Sequence, residues 1–312
     1  MAKKMKLPEA LLEFIAGQPG ARWQKIRSEA SPRCFLRISH GKSNLVAMVY
    51  PQPSRGEVQR FLAMHHIYSD HGLPVPAVHD VLANQVVLQE DVGDLLLQRA
   101  WRERGCRERQ WLLCECREIL DKLARVPSVL ASAKLDPARL KWEMEFFLKH
   151  FTFRLPVRGC SETGLRESLK ALIGKIGPEC VFAHRDFHSR NLLVKGRSIV
   201  MVDFQDSLLA PRFYDHVSLA FDSYLDLNAA REVLWFGREP RPGERRQMRL
   251  TALQRNIKAL GTFAFQIHEN RHPAYARYIP RTLRHICSHL QELADPDIRI
   301  LSKYFLSVTL TG

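Results

Sequence analysis

The hydrophobic pattern changes character about a third of the way along the chain. Before that point it reads as short strands. Phe35-Leu36-Arg37-Ile38 and Asn44-Leu45-Val46-Ala47-Met48-Val49-Tyr50 are strand-like, and Ser39-His40-Gly41-Lys42-Ser43 between them has turn chemistry. A helical period follows from Glu57 to Asp70, with Val58, Phe61, Leu62, His65 and Ile67 on one side and Gly72 and Pro74 as its stop. Residues Val78 to Val92 read as two short strands around Asn84, with a connector at Gln89–Asp94. From Leu95 onward the pattern is mainly amphipathic helix: Leu95–Arg104, Gln110–Arg125, Pro137–Phe153, Thr163–Ile176, and again from about Asp215 to the end. Asn191-Leu192-Leu193-Val194 and Ser198-Ile199-Val200-Met201-Val202 interrupt it as a hairpin, with Lys195-Gly196-Arg197 as its turn. There is no internal repeat and no low-complexity stretch. The prediction is an α+β chain. A small β-rich N-terminal lobe (residues 1–90) and a larger, mainly helical C-terminal lobe (91–312) form a cleft, and clefts between lobes take ligands.

Composition narrows this only a little. The 312 residues are 46% apolar and 26% charged, an ordinary globular balance. No apolar run approaches the roughly 18 residues a bilayer requires, so a soluble protein is expected. Lys3, Lys4 and Lys6 open the chain, but Glu9, Glu13 and Gln18 break the next apolar run. This reads as an amphipathic helix rather than a secretory signal. Seven cysteines, an odd number with no C-x-x-C pair, suggest neither a disulfide framework nor a zinc site and fit a reducing cytoplasm. Lysine and arginine exceed aspartate and glutamate by 47 − 33 = 14. The surplus disfavours a strongly cationic substrate and admits acidic substrates, nucleic acid or nothing beyond solubility. Its runs at Arg99–Arg109 and Arg238–Arg249 are most simply solvated faces, so a nucleic-acid partner is not expected.

The chemistry concentrates in one segment. His184-Arg185-Asp186-Phe187-His188-Ser189-Arg190-Asn191 has the spacing H-R-D-x-x-x-x-N, and Asp203-Phe204-Gln205-Asp206 begins twelve residues after Asn191. The first is the catalytic-loop pattern of kinases, and the second stands where kinases carry D-F-G. Singly, Asp186 reads as a helix cap and Asn191 as a turn residue, but as a spaced set they read as a phosphoryl-transfer site. Such transfer requires Mg²⁺, which prefers hard oxygen ligands. Asn191 and Asp203 offer an amide oxygen and a carboxylate at the two ends of the hairpin. Asp186 would take the proton of the acceptor hydroxyl. His184 reads as a packing residue. His188 and Arg190 lie between catalytic positions, and each reads equally as a site residue or as part of the loop.

These residues resemble the aminoglycoside phosphotransferase and choline kinase superfamily, and within it the bacterial anomeric sugar kinases of cell-wall recycling. Ser31-Pro32-Arg33-Cys34-Phe35-Leu36-Arg37 is similar to S-F-R-R-Y-F-R, and Gln89-Glu90-Asp91-Val92-Gly93 to L-E-D-L-G. Asp203-Phe204-Gln205-Asp206-Ser207, followed by Pro211, Tyr214-Asp215 and Ser218-Leu219, is similar to I-D-F-Q-D-A…G-P-x-x-Y-D-L-x-S-L. Arg255-Asn256-Ile257-Lys258-Ala259-Leu260-Gly261-Thr262-Phe263-Ala264 is similar to R-x-I-K-V-L-G-I-F-A. The resemblance implies a protein-kinase-like two-lobe fold, with ATP or GTP and Mg²⁺ as cofactors. It implies that the backbone of Glu90, Asp91 and Val92 meets the base and that Ala30–Arg33 covers the phosphates. There is a departure: no glycine lies between Arg22 and His40, and the third strand carries Met48 where a phosphate-clamping lysine is expected, leaving Glu57 without that partner. Arg33 and Arg37 are the candidate replacements.

On the substrate side, Trp142-Glu143-Met144-Glu145-Phe146-Phe147-Leu148-Lys149-His150 resembles the family segment E-x-x-L-F-x-x-W that borders the sugar pocket. Glu143 and Glu145 are candidates for sugar hydroxyls. The tryptophan is matched only by His150 or Phe151. The expected acceptor is an amino sugar of the N-acetylmuramate or N-acetylglucosamine class, phosphorylated at its anomeric hydroxyl. Two alternatives stand beside it: an aminoglycoside, amino alcohol or other metabolite as acceptor, and a non-catalytic binding module that uses the basic faces.

Overall fold

The computed structural model describes residues 6–26, 32–41, 43–152, 155, 157–227 and 240–311. The chain divides into two compact units. The first joins Met1–Leu95 to Leu193–Gln205, and the second joins Leu96–Leu192 to Asp206–Gly312. The hairpin that sequence reading placed in the C-terminal lobe therefore groups, from residue 193, with the first unit.

In the first unit, α1 (Glu9–Ala16) precedes a five-stranded antiparallel sheet. Its strands are β1 (Arg22–Ile26), β2 (Cys34–His40), β3 (Ser43–Val49), β4 (Val78–Leu82) and β5 (Val86–Glu90), in the order β1-β2-β3-β5-β4. Alternate residues of β2, β3 and β5 point to one face. Leu36, Ile38, Ala47, Val49, Val86 and Leu88 bury there against Leu11 of α1. The three-residue β4–β5 connection has Ala83 and Asn84 at positive φ (49° and 50°), a conformation that Asn tolerates. Helix α2 (Arg55–Asp70) starts where the Ser54 hydroxyl accepts the Glu57 N–H at 3.4 Å. Strands β7 (Leu192–Lys195) and β8 (Ser198–Met201) pair around Gly196, whose φ of +58° is cheap for glycine.

The second unit is helical: α3 (Leu97–Glu103), α4 (Cys106–Arg125), α5 (Pro137–His150), α6 (Glu162–Lys175), α7 (Tyr214–Ala220), α8 (Pro242–His268), α9 (Ile279–Leu293) and α10 (Arg299–Thr311). Asp136 caps α5 through the Arg139 N–H at 2.8 Å, with Pro137 in the first turn. Ser161 caps α6 through the Gly164 N–H at 3.1 Å. The main core lies among α5, α6, α8, α9 and α10 and includes Phe147, Leu172, Leu253, Ile257, Leu260, Ile286 and Phe305. Gly261 of α8 sits directly on α5, where a Cβ would stand 2.8 Å from the Phe147 Cα.

Three strands escaped the hydrophobic pattern. Strand β1 is exposed almost throughout and has no buried face to alternate with. Strands β6 (Cys180–Ala183) and β9 (Leu208–Pro211) are four-residue runs that pair antiparallel, with Ala183 opposite Leu208, and Leu209 also bridges Lys134. Such short non-local pairs carry no period to detect. No helix among the described residues is long and apolar enough to cross a membrane.

Candidate active site

Strand β6 delivers the chain into the H-R-D segment, and two buried aspartates hold that segment in shape. Asp215, on α7, accepts the N–H of His184 at 2.6 Å and of Arg185 at 2.9 Å. Asp222 accepts the N–H of Ser189 at 2.8 Å and of Tyr224 at 2.8 Å. Hydrogen bonds to charged acceptors contribute roughly 1.5–3 kcal/mol each. They offset the strain at Arg185, whose φ of +76° is the left-handed conformation that costs a non-glycine residue about 1–2 kcal/mol. Burial pushes the Asp215 carboxyl up to about 6, against the pull of His184 and the two N–H donors. Inside the loop, the His188 N–H donates to the Asp186 carbonyl and the Asn191 N–H to the His188 carbonyl, both at 2.9 Å.

Asp186 keeps 39% of its side chain accessible, whereas Glu143 beside it keeps 1%. Burial alone would raise the Asp186 carboxyl. Lys258, Arg185 and Arg255 outweigh that and hold it below the usual carboxylate range, so it is ionised at neutral pH. Lys258 Nζ stands 3.7 Å from Asp186 Oδ1 and 3.7 Å from Glu143 Oε1. Sequence reading gave Lys258 no role, although it lies inside a segment similar to the family pattern. The available signal was Lys258 and Gly261 at i, i+3, which puts the cation on the helix face that the glycine presses against α5.

The other candidates fall as follows. Glu143 accepts from Arg185 Nη2 at 3.2 Å through Oε1 and from Gln254 Nε2 at 2.9 Å through Oε2. It is an interior anchor rather than a group facing an acceptor. Glu145 pairs with Arg166, and both line a cavity of about 1270 Å³ with Trp142, Phe146, His150 and Phe265. The Phe146 and His150 rings lie 4.4 Å apart, and those of Phe146 and Phe265 5.4 Å apart. His188 packs edge-on to Tyr224 with ring centres 5.0 Å apart, and burial pushes its imidazole down to about 4. The Arg190 guanidinium rests over the Tyr224 ring at 4.9 Å, a cation–π seat.

In the first unit, the connector's side chains serve as struts. Arg37 Nε donates to Asp91 Oδ2 at 2.6 Å, and Arg37 Nη1 to Asp94 Oδ2 at 2.8 Å. Glu90 pairs with Lys195. Arg37 is thus committed to the connector and is not placed as a replacement clamp. Glu90, Asp91 and Val92 are left to offer backbone groups, with Val92 itself buried. Arg33 Nη1 points at Met48 Sδ (3.5 Å) and Arg33 Nη2 donates to Asp203 Oδ1 at 2.7 Å. Ala30 and Ser31 of the phosphate-covering segment, and Arg238 of the second basic run, lie outside the described residues. Asp203 has φ +64°. The next residue, Phe204, fixes it by packing on Phe61 and Tyr68 of α2 at 5.2 and 5.0 Å.

The donor set suits a hard dication. The Asn191 amide nitrogen donates to the Asp186 carbonyl at 3.0 Å, which turns its amide oxygen to other use. Among the described residues Asp203 binds Arg33 and Gln205 through Oδ1, which leaves Oδ2 to a ligand. Each is by itself a hard oxygen of the kind Mg²⁺ takes. Among the described residues no three His, Cys, Asp or Glu side chains converge into a separate metal cluster.

A strand-borne H-R-D loop, a D-F segment on a hairpin and a five-stranded sheet joined to a helical unit define a protein-kinase-like phosphotransferase fold. Residues 22–251 match the phosphotransferase enzyme family (APH), and the chain belongs to it. The chain is 26% identical over 278 residues to the N-acetylmuramate/N-acetylglucosamine kinase of Pseudomonas putida, covering 83% of this chain and 80% of that protein. Among solved structures it is similar to a choline/ethanolamine kinase family protein from Mesorhizobium loti, with a TM-score of 0.63, 16% identity, and coverage of 95% of this chain and 94% of that one. It is also similar to ADP-bound aminoglycoside phosphotransferase APH(2'')-Ib, with a TM-score of 0.62, 13% identity, and coverage of 89% and 98%.

Proposed function

We propose that this phosphotransferase is a Mg-ATP-dependent kinase acting on a sugar hydroxyl, the anomeric hydroxyl of N-acetylmuramate or N-acetylglucosamine. The observation that carries the transfer chemistry is the accessible, ionised Asp186 on a loop locked by Asp215 and Asp222. The acceptor class rests on the name of the Pseudomonas putida relative. It is supported by the cations around Asp186, since Lys258, Arg185 and Arg255 disfavour a cationic acceptor and suit an anionic or neutral one. The cavity with Trp142 and Phe146, rimmed by Glu145 and Arg166, is of a kind that takes sugar rings by stacking and hydrogen bonds.

In this reading Asp186 orients the acceptor hydroxyl and accepts its proton as the new bond to phosphorus forms. Asn191 and Asp203 supply oxygen ligands to the metal, which when bound neutralises phosphate charge. Arg33 takes the place of the absent strand lysine, because its guanidinium covers the Met48 side chain that stands there. The backbone of Glu90–Val92 reads the base, with ATP the expected nucleotide. His188 and Arg190 line the loop, the latter seated on Tyr224.

ADP release from Mg-ATP with N-acetylmuramate, N-acetylglucosamine and an aminoglycoside tests the assignment. Turnover is expected with the two amino sugars, and turnover confined to the aminoglycoside would reject the acceptor. Asp186→Asn is expected to lower kcat by about two to four orders of magnitude with an unchanged melting temperature. Full turnover in that variant removes the mechanism.

A further inference from the structure

Lys258 is half-buried against two carboxylates yet is hydrogen-bonded to neither. Its Nζ lies 3.7 Å from both Asp186 Oδ1 and Glu143 Oε1, beyond hydrogen-bond length, and its side chain is 19% exposed. Among the described residues its ammonium makes no hydrogen bond, so it is pinned by charge while its three donors remain available. Glu143 does not need it for hydrogen bonding, since Arg185 and Gln254 already occupy both carboxylate oxygens. Burial disfavours the ammonium, but Asp186, Tyr214 and Glu143 more than compensate and keep it charged. Arg185 Nε, Tyr214 OH and Gln254 Oε1 are buried polar atoms with no hydrogen-bond partner among the described residues, and each belongs to a side chain interacting with Lys258 or Glu143. The neighbourhood is thus polar and under-bonded, as functional sites are.

The geometry is specific. An oxygen hydrogen-bonded to Asp186 Oδ1 at about 2.7 Å can also lie within about 3 Å of Lys258 Nζ. The close approach of α8 to α5 at Gly261 and Phe147 sets this reach, since Lys258 is nearly one turn before Gly261 and Glu143 one turn before Phe147. The first unit, meanwhile, carries Met48 on β3 where a lysine would meet phosphate charge.

We propose that Lys258 is a further catalytic residue, donating from the second unit to the acceptor oxygen and the transferring phosphoryl group beside Asp186. This rests on the kinase reading above. In the step, the acceptor oxygen loses its proton to Asp186 and forms a bond to the γ-phosphorus. The bond from that phosphorus to the β–γ bridging oxygen breaks, and ADP leaves with the electron pair. Lys258 stays protonated throughout, and its hydrogen bonds strengthen as charge builds on the phosphoryl oxygens.

The test uses Lys258→Met, Lys258→Arg and the double variant Lys258→Met/Glu143→Gln, which restores local charge balance should the single variant fold poorly. Two quantities are measured: kcat and KM with N-acetylglucosamine and Mg-ATP, and the affinity for Mg-ADP with and without aluminium fluoride, a mimic of the phosphoryl group in flight that requires no acceptor. Lys258→Met is expected to lower kcat by about a hundredfold or more. It should change Mg-ADP affinity less than about threefold and lose most of the fluoride-dependent tightening. Lys258→Arg should recover at least about tenfold of the lost kcat. The double variant should melt like the wild type and remain slow. Wild-type kcat and fluoride tightening in Lys258→Met, or their return in the double variant, would overturn the proposal and leave Lys258 a charge-balancing group. Asp186→Asn separates the two levels: if it is inactive while Lys258→Met is normal, only the role of Lys258 falls; if it is fully active, the kinase reading falls as well.

Discussion

The catalytic loop of the second unit and the connector of the first are both built from ion pairs, but the pairs do opposite things. Around Asp186, cations converge on one accessible carboxylate and keep it charged. Around Glu90 and Asp91, each carboxylate is consumed by one cation, Lys195 or Arg37, and the pair serves to fix backbone. The first arrangement stores chemistry in a side chain. The second ties its carboxylates up in ion pairs, and under the function proposed above the peptide groups are what remain to meet a ligand. A site that must move a proton needs an exposed titratable atom, whereas one that must read a flat base needs rigid, directional donors and acceptors.

The largest way to break this contrast is at Asp215. Asp215→Ala strands two N–H groups beside a left-handed Arg185, and a stability loss of about 2–5 kcal/mol is expected in urea titration. An effect under about 0.5 kcal/mol would mean that the loop holds its shape without the buried carboxylate. Gly261→Ala comes next. Its Cβ would meet Phe147 backbone at 2.8 Å and push α8 from α5, so a loss of about 1–3 kcal/mol is expected, with kcat falling together with stability as Lys258 retreats. In the first unit, Arg33→Ala should raise the nucleotide KM by about tenfold and spare acceptor KM, the mark of a binding cation. Equal loss in kcat alone would move Arg33 to the reacting atoms. The smallest expected effect is a pH dependence. Burial, together with Arg212 and Arg117, pushes His216 down to about 4, so the folded state resists protonating it. Its contribution to stability is therefore present above about pH 6.5 and is lost as pH falls toward 4. His216→Gln should flatten that part of the melting-temperature profile. Asp215, raised to about 6, acts with the opposite sign, its stabilisation fading as pH rises from about 4 to 6.

Much of this was legible from spacing and period. The α2 aromatic face, the β4–β5 and β7–β8 hairpins and the helices after Leu95 carry local signals, because each is stabilised within a few residues of itself. The H-R-D-x-x-x-x-N segment is local for the same reason: turns within residues 184–191 set the mutual placement of Asp186, His188 and Asn191. Strands β1, β6 and β9 were not legible. The last two pair across an intervening 24 residues, and four-residue apolar runs look alike in any context.

What the amino-acid sequence determined alone was the candidate set: which residue types stand at which spacing, and that the third strand carries methionine in place of a lysine. Only the tertiary structure decided how those charges are spent. It buried Glu143 as an anchor, committed Arg37 to the connector, laid Arg33 over Met48 and brought Lys258 from α8 to within 3.7 Å of Asp186. The physical reason is range. Spacing along a chain records hydrogen bonds and periods that close within a turn or two. A charge finds its partner across 71 intervening positions, as Lys258 finds Asp186, only when elements far apart in the chain pack closely, as α8 does on α5 over Gly261.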